Sequence, residues 1–259
     1  DALNVFPVPD GDTGTNMSLT IMAAAKEVTA LDKPDMASLA KAISSGSLRG
    51  ARGNSGVITS LLFRGFAKGI GDDENLTPQN ITDAFVFGVE AAYKAVMKPT
   101  EGTILTVARV ASEYAKKALA EGKDELEIFE YAIEGAKEAL EQTPELLPQL
   151  KKAGVVDAGG KGFVFFLEGM LSVMKDGVVI KSNSNLTEDD GQREEESFNA
   201  AGEFETEITF TYCTEFIVNR AEECEKEPSE LRSFLETIGD CVVVVDDDEI
   251  IKVHVHTDH

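Results

Sequence analysis

The spacing of apolar residues changes once along this chain, from a helical period to a strand period, and the change divides the fold in two. From Thr15 to about Lys175 the apolar positions recur three and four apart, with short breaks. Met17, Ile21, Ala24, Val28 and Leu31 trace one face, Met36, Leu39, Ile43 and Ser47 a second, and Val57, Leu61 and Leu62 a third. Thr77 before Pro78 reads as an N-cap with proline at the first helical position, leading a stripe of Ile81, Phe85, Ala92 and Val96. A further helix runs from about Thr103 to Ala120. Asp124 and Glu127 form a capping box for the next, with stripe Leu126, Phe129, Ile133, Ala136 and Leu140, and Thr143-Pro144 is expected to stop it. A last helix carries Phe163, Phe166, Leu167, Met170 and Met174 before Gly177.

After an interruption the period becomes two. Residues 182–207 hold nine acids and a single base, Arg193, with few large apolar groups, a composition that cannot offset the entropy of ordering. Beyond it, Ile208, Phe210, Tyr212, Phe216 and Val218 alternate with polar residues as strands do. Leu231, Leu235 and Ile238 form a short helix closed by Gly239. Cys241 to Val245 reads as a buried strand, Asp246 to Asp248 as a turn, and Glu249 to Thr257 as a second alternating strand. The expected organisation is a mainly α domain over 1–181, an acidic linker over 182–203, and a partial α+β domain over 204–259. The chain begins without Met and stops on a strand-like segment, so it reads as part of something longer.

Charge and histidine placement exclude several classes of function. The net charge of −23 argues against wrapping nucleic acid or lying on an anionic membrane, since both need a basic face. No stretch approaches the roughly 20 apolar residues that cross a bilayer, and no signal peptide is visible. All three histidines (His254, His256 and His259) fall in the last six residues, so no Ser-His-Asp or Cys-His catalysis can be built in the helical part. The three cysteines (Cys213, Cys224 and Cys241) are odd in number and late in the chain, which favours a reducing, cytoplasmic setting.

Four glycine-bearing segments stand at helix starts. In PVPDGDTGTN, Pro7 to Asn16, a turn held by Gly11 and Gly14 can aim Asp10 and Asp12 at one point, with Thr15 and Asn16 at the helix N-terminus. Hard oxygen ligands beside backbone N–H donors are what a magnesium-bound polyphosphate requires; an Asp-Gly-Asp surface turn that merely caps the helix is the other reading. In LRGARGNSG, Leu48 to Gly56, Gly50, Gly53 and Gly56 permit close backbone approach while Asn54, Ser55, Arg49 and Arg52 supply donors and charge, although the segment also suits a flexible connection. Glu101-Gly102-Thr103 and Asp157-Ala158-Gly159-Gly160-Lys161-Gly162 are unspecific singly. Together the four form a pattern that a structural bundle does not need, with no P-loop and no dinucleotide fingerprint. A third cluster is Cys213 with His254 and His256: residues two apart on a strand share a face, and one thiolate with two imidazoles suits Zn²⁺. From the spacing alone, a pair of exposed strand histidines and an unrelated buried thiol is the favoured reading. Cys224 and Cys241 read as structural.

The run NVFPVPDGDTGTNM, with RGNSG, EGT and DAGGKG, resembles the nucleotide-binding subunits of bacterial dihydroxyacetone kinases (DhaL-type domains). With a second domain containing YCTEF and HVHT, the whole chain is similar to the ATP-binding component of bacterial fatty acid kinases, the FakA type. The resemblance implies an antiparallel helical barrel binding ATP at one end through two Mg²⁺ ions. Asp10 and Asp12 would be the catalytic metal ligands. Thr15, Asn16, Gly53, Asn54, Ser55 and Gly56 would hold phosphate, and Gly102, Thr103, Asp157, Gly159 and Gly160 would line the nucleotide pocket. Where dihydroxyacetone kinases carry a further metal-binding Asp this chain has Val5, with Asn4 beside it as a candidate third ligand. FakA-like middle domains are expected to carry zinc at a site such as Cys213, His254 and His256, a centre separate from the kinase site.

The resemblance also implies the reaction. Phosphoryl transfer is mainly positioning and charge neutralisation, and a fatty acid carboxylate is already ionised at neutral pH. An alcohol such as dihydroxyacetone would need a base, and no histidine precedes residue 254. The expected function is therefore transfer of the ATP γ-phosphate to a fatty acid held by a FakB-like carrier protein, giving an acyl-phosphate. A dihydroxyacetone kinase-like subunit or non-enzymatic nucleotide-binding regulator, and a zinc hydrolase built on HVHTDH, are the alternatives. A homodimer is compatible with any of them.

Overall fold

The computed structural model describes residues 1–7, 11–71, 75–96, 98–178, 209–221 and 226–259. Asp10, Cys224 and the acidic segment 182–203 lie outside these residues. The helical part comprises α1 (Thr13–Thr29), α2 (Met36–Gly50), α3 (Gly53–Ile70), α4 (Pro78–Ala95), α5 (Ile104–Ala120), α6 (Glu125–Leu146), α7 (Pro148–Ala153) and α8 (Ala158–Asp176). The start signals behave as expected. Thr77 and Asp124 both make reciprocal capping boxes, with Asn80 and Glu127, and Pro78 takes the first helical position of α4.

One stop signal fails. Pro144 lies inside α6, which continues to Leu146. A proline leaves the carbonyl four residues earlier without its donor, and here the Thr143 hydroxyl donates to that Leu140 carbonyl at 2.7 Å. The neighbouring side chain replaces the missing backbone bond, so the helix runs on past the proline. The chain then turns at Leu147 into α7, a helix that the apolar periodicity does not reveal.

Successive helices pack side by side, and α8 lies against α5 and α6 on one side and α1 on the other, closing the set. The enclosed core is built from Val107, Ala108, Ala111, Ala115 and Ala118 of α5 with Ile128, Phe129, Ala132 and Ala136 of α6. Phe66, Phe85 and Phe129 meet edge-on or tilted at its centre, with ring centroids 5.3 to 6.5 Å apart. The α3–α4 crossing is very close. A Cβ at Gly65 would stand 2.2 Å from the Phe87 carbonyl oxygen, and one at Gly69 would stand 2.3 Å from the Ala84 backbone.

The second part is a three-stranded antiparallel sheet of β1 (Tyr212–Asn219), β2 (Gly239–Asp246) and β3 (Ile250–Thr257), in the order β1-β3-β2, with α9 (Pro228–Leu235) between β1 and β2 in the chain. The strand period assigns each residue a side. Val242, Val244, Val253 and Val255 pack with Leu235 in one cluster, whereas Val243, Val245 and Ile250 join the core of the helical part. The sheet therefore lies between α9 and the helices. Arg232 donates to the Ala95 carbonyl at 2.7 Å, Arg64 to the Asp246 carbonyl, and Arg49 pairs with Glu249. β1 is the exception to the expected alternation. It is an edge strand, and Phe216, Ile217 and Val218 on both its faces remain over a third exposed.

Replacing Gly65 by Ala is expected to force α3 and α4 apart and to lower stability by about 1–3 kcal/mol, the range for overpacking a tight site. Urea denaturation followed by circular dichroism measures it; a midpoint equal to wild type would mean that the crossing is looser than described.

Candidate functional site

Antiparallel succession has a geometric consequence: every second helix starts at the same end. The N-termini of α1, α3 and α5 are thereby gathered at one end; the six-residue α7 serves as part of the connection after α6, so α8 starts at that end too, and all four glycine-bearing segments form first turns or caps. Each N-terminus brings unpaired backbone N–H groups and the positive end of a helix dipole. They open on a cavity of about 480 Å³ whose walls include Asp12, Gly53, Asn54, Ser55, Thr103, Asp157 and Gly159. The opposite wall comes from the sheet, with Cys213, Asp240, Cys241, His254 and His256. The expectation of a Cys–His centre separate from the nucleotide residues is therefore corrected. They share one cavity, because His254 and His256 lie on the face of β3 turned away from α9 and toward the helices.

The remaining candidates support the walls without forming them. Asn16 donates to the Asp12 carboxylate at 2.7 Å, fixing its direction. Thr15 donates through its N–H and its hydroxyl to the Asp1 carboxylate at 3.0 and 2.9 Å. Gly56 lets α3 pass Thr20, whose hydroxyl would lie 2.6 Å from a Cβ there. Gly102, at φ +84°, fits beneath Leu147, and its N–H donates to Thr106 at 2.8 Å. Gly160 donates its N–H to Asp157 at 2.7 Å. Val5 is buried against Leu147 and Leu150 in the core, whereas Asn4, also buried, lines the cavity. Of the two, it is Asn4 that shares the cavity with Asp12.

Two residues that the sequence marks for other reasons, Glu101 of the EGT segment and Thr143 before Pro144, act as hydrogen-bonded anchors. Glu101 accepts from Thr106 at 2.7 Å, Arg109 at 3.0 Å and Tyr93 at 3.0 Å, which fixes the loop before α5. Burial favours its neutral form, but these donors prevail and hold its carboxyl below the usual range. Thr143, fully buried, accepts the Asp157 N–H at 3.1 Å and so ties the end of α6 to the start of α8. Asp157 itself is nearly inaccessible, and burial pushes its carboxyl up to about 6 in spite of the Gly160 and Ile104 N–H groups directed at it.

On the sheet wall, one donor atom from each of Cys213, His254 and His256 falls within a 4.8 Å span. A second triad, Asp240, Cys241 and His256, shares His256 with it. Hydrogen bonding to His254, and then to His256, lowers the Cys213 thiol to about 7. Burial pushes His254 down, but contacts with Cys213 and Glu215 outweigh it and raise its affinity for a proton. His254 Nε2 is buried with no hydrogen-bond partner among the described residues. One thiol and two imidazoles, one of them with an orphaned ring nitrogen, make a three-donor set of the kind that zinc takes. Glu215 is a further site residue, absent from the candidates that the sequence supplies. Its Oε1 lies 2.9 Å from His254 Nδ1 and accepts the Gly53 N–H at 2.7 Å. A signal for it exists in YCTEF, where Glu215 stands two residues from Cys213 and hence on the same face.

The chain belongs to the DAK2 domain family, which matches residues 7–172, and residues 209–259 match the middle domain of the FakA-like fatty acid kinase family. The two matches follow one another in the order of the helical part and the sheet. Similar proteins include an uncharacterized protein of Staphylococcus epidermidis (strain ATCC 12228 / FDA PCI 1200), 44% identical over 261 residues, and one of Staphylococcus aureus (strain bovine RF122 / ET3-1), 45% identical over 261 residues. Each comparison covers 100% of this chain and 47% of the relative. The chain thus spans about half the length of the curated relatives it matches. Among the described residues, no helix is long and apolar enough to cross a membrane.

The elevated Asp157 value fixes a pH dependence. Its carboxyl holds a proton in the folded chain at pH values where the unfolded chain, near 3.8, has released it. Stability contributed by this group therefore falls as pH rises from about 4 to 6, by on the order of 3 kcal/mol in all. Asp157→Asn, which keeps the cap acceptor, is expected to remove that decline, as read from urea midpoints between about pH 4 and 7. An unchanged slope would show that Asp157 does not titrate in this window.

Proposed function

We propose that this chain is the ATP-binding part of a cytoplasmic fatty acid kinase that phosphorylates a fatty acid presented by a FakB-like carrier protein. The observation that carries the reading is the convergence of four helix N-termini, with Asp12 and Asn4, on one cavity. Exposed backbone donors and helix dipoles favour a polyphosphate there even in a chain of net charge −23.

The oxygen donor set fits magnesium. Asp12 would hold it together with Asp10, and Asn4 would be the third ligand; bound Mg²⁺ would neutralise charge developing on the phosphates. The chain's own contribution is position. Asn16 aims Asp12, the first turn of α3 offers Gly53, Asn54 and Ser55, and Thr103 with Asp157 and Gly159 closes the cavity at α5 and α8. In the proposed reaction a carboxylate oxygen forms a bond to the γ-phosphorus, the bond to the β,γ-bridging oxygen breaks, and ADP leaves with that electron pair. The acceptor carries no proton to remove, which suits a cavity whose imidazoles are engaged with Cys213 and Glu215.

Asp12→Asn is expected to weaken magnesium-dependent ATP binding by about tenfold or more, roughly 1.4 kcal/mol per tenfold, with the helical circular dichroism spectrum unchanged. Isothermal titration gives the affinity. Acyl-phosphate formation, assayed with a full-length relative and its acyl carrier, tests the substrate; phosphoryl transfer to dihydroxyacetone in its place would refute the fatty acid assignment.

A further inference from the structure

Glu215 stands where the two walls of the cavity meet. A single carboxylate oxygen accepts the Gly53 N–H at the start of α3 and faces His254 Nδ1, and Cys213 Sγ lies 3.8 Å from the same nitrogen. The cross-strand register explains the second contact, since Glu215 of β1 pairs directly with His254 of β3. The first contact depends on glycine. Gly53 adopts φ +58°, and a Cβ there would lie 2.7 Å from Asn16 Nδ2, so the direction of its N–H is fixed by a backbone turn that other residues would strain. Lys252, buried two residues before His254, adds positive charge near the same carboxylate.

This carboxylate occupies an anion position. Gly53 N–H belongs to the first turn of α3, among the groups that the nucleotide reading directs at phosphate, and Glu215 now holds it. A phosphate oxygen arriving at that N–H must displace or share Glu215. The other partner of Glu215 is a member of the Cys–His cluster, whose donor set fits a metal. His254 Nε2, buried without a hydrogen-bond partner among the described residues, is the nitrogen left for a metal, and an imidazole ligated there becomes a stronger N–H donor from Nδ1 to a carboxylate. Metal binding at the cluster would thus compete with Gly53 for the same carboxylate.

We propose that Glu215 is a positioning residue that couples metal occupancy at Cys213, His254 and His256 to nucleotide binding at the N-terminus of α3. With the cluster empty of metal, Glu215 holds the Gly53 N–H against incoming phosphate. With metal present, its carboxylate is drawn to His254 and the N–H is released. The inference rests on the nucleotide-binding reading above and adds to it a form of regulation. The coupling is reciprocal, so bound nucleotide strengthens metal binding by the same factor.

The test uses the 259-residue chain, stripped of metal by dialysis against a chelator and titrated with a fluorescent ATP analogue in Mg²⁺, with and without one equivalent of Zn²⁺. In wild type, Zn²⁺ is expected to tighten analogue binding by about tenfold, within the usual range of coupling between sites. Glu215→Ala is expected to bind the analogue without zinc as tightly as zinc-loaded wild type, with zinc adding less than about twofold. Glu215→Gln keeps the side-chain volume and the acceptor while losing the charge, and should fall between the two. Zn²⁺ affinity, read against a chromophoric chelator, should rise on nucleotide addition in wild type and not in Glu215→Ala. The coupling is overturned if wild-type nucleotide affinity ignores zinc, or if both variants retain the full zinc effect. Tight analogue binding without any zinc effect would defeat this inference alone. No analogue binding at any Mg²⁺ concentration would defeat the nucleotide reading and the coupling together.

Discussion

An α-helix begins with four backbone N–H groups that no residue of the helix can satisfy. In this fold the antiparallel order of the helices collects four such beginnings at one end, and most of the cavity follows from that constraint. Glycine at Gly53, Gly102, Gly159 and Gly160 keeps the helix starts close to one another and to the loops that cross them. Side chains then take up part of the donor capacity. Asp157 caps α8, Thr103 caps α5, and Glu215 reaches across from the sheet to α3. The N–H groups left facing the cavity form a concentrated positive surface in a strongly acidic chain.

The same end of the molecule is where the two parts of the chain join. The sheet is amphipathic in an unusual sense, since both faces of β2 and β3 are apolar and both are covered, one by α9 and one by the helices. A sheet in that position must direct the polar residues of its inner face at something. His254 and His256 of β3 and Cys213 of β1 meet the helix N-termini, with Asp240 and Cys241 beside them. A metal-type donor set and a polyphosphate-type donor set are thereby placed on opposite walls of one space. Glu215 is the side chain that touches both.

Much of the helical part is legible locally, because caps and periodicity act over a few residues. Thr77-Pro78 and Asp124 with Glu127 start helices where their chemistry requires it. Pro144 shows the limit of that reasoning. It lacks a donor, which is a local property, but whether the helix ends depends on whether another group reaches the orphaned carbonyl, and the Thr143 hydroxyl does so. β1 shows another limit. Its residues alternate in the sequence, yet alternation does not say whether anything covers either face, and its apolar residues stay partly exposed while those of β2, the other edge strand, are buried.

The sequence alone settled residue types and their local order: glycine-bearing helix starts, a paired-acid motif, no imidazole before residue 254, and a thiol with two strand histidines. These are properties of short spans, governed by backbone preference and side-chain chemistry. Tertiary structure decided which spans meet. It put Asn4 rather than Val5 on the cavity wall, buried Asp157 enough to raise its carboxyl, and set the Cys–His cluster opposite the glycine-bearing helix starts rather than apart from them. It also gave Glu215 its two partners, one 39 residues away in the chain and one 162. Such distances are bridged by packing of a sheet on a helical body, and no local pattern encodes that contact.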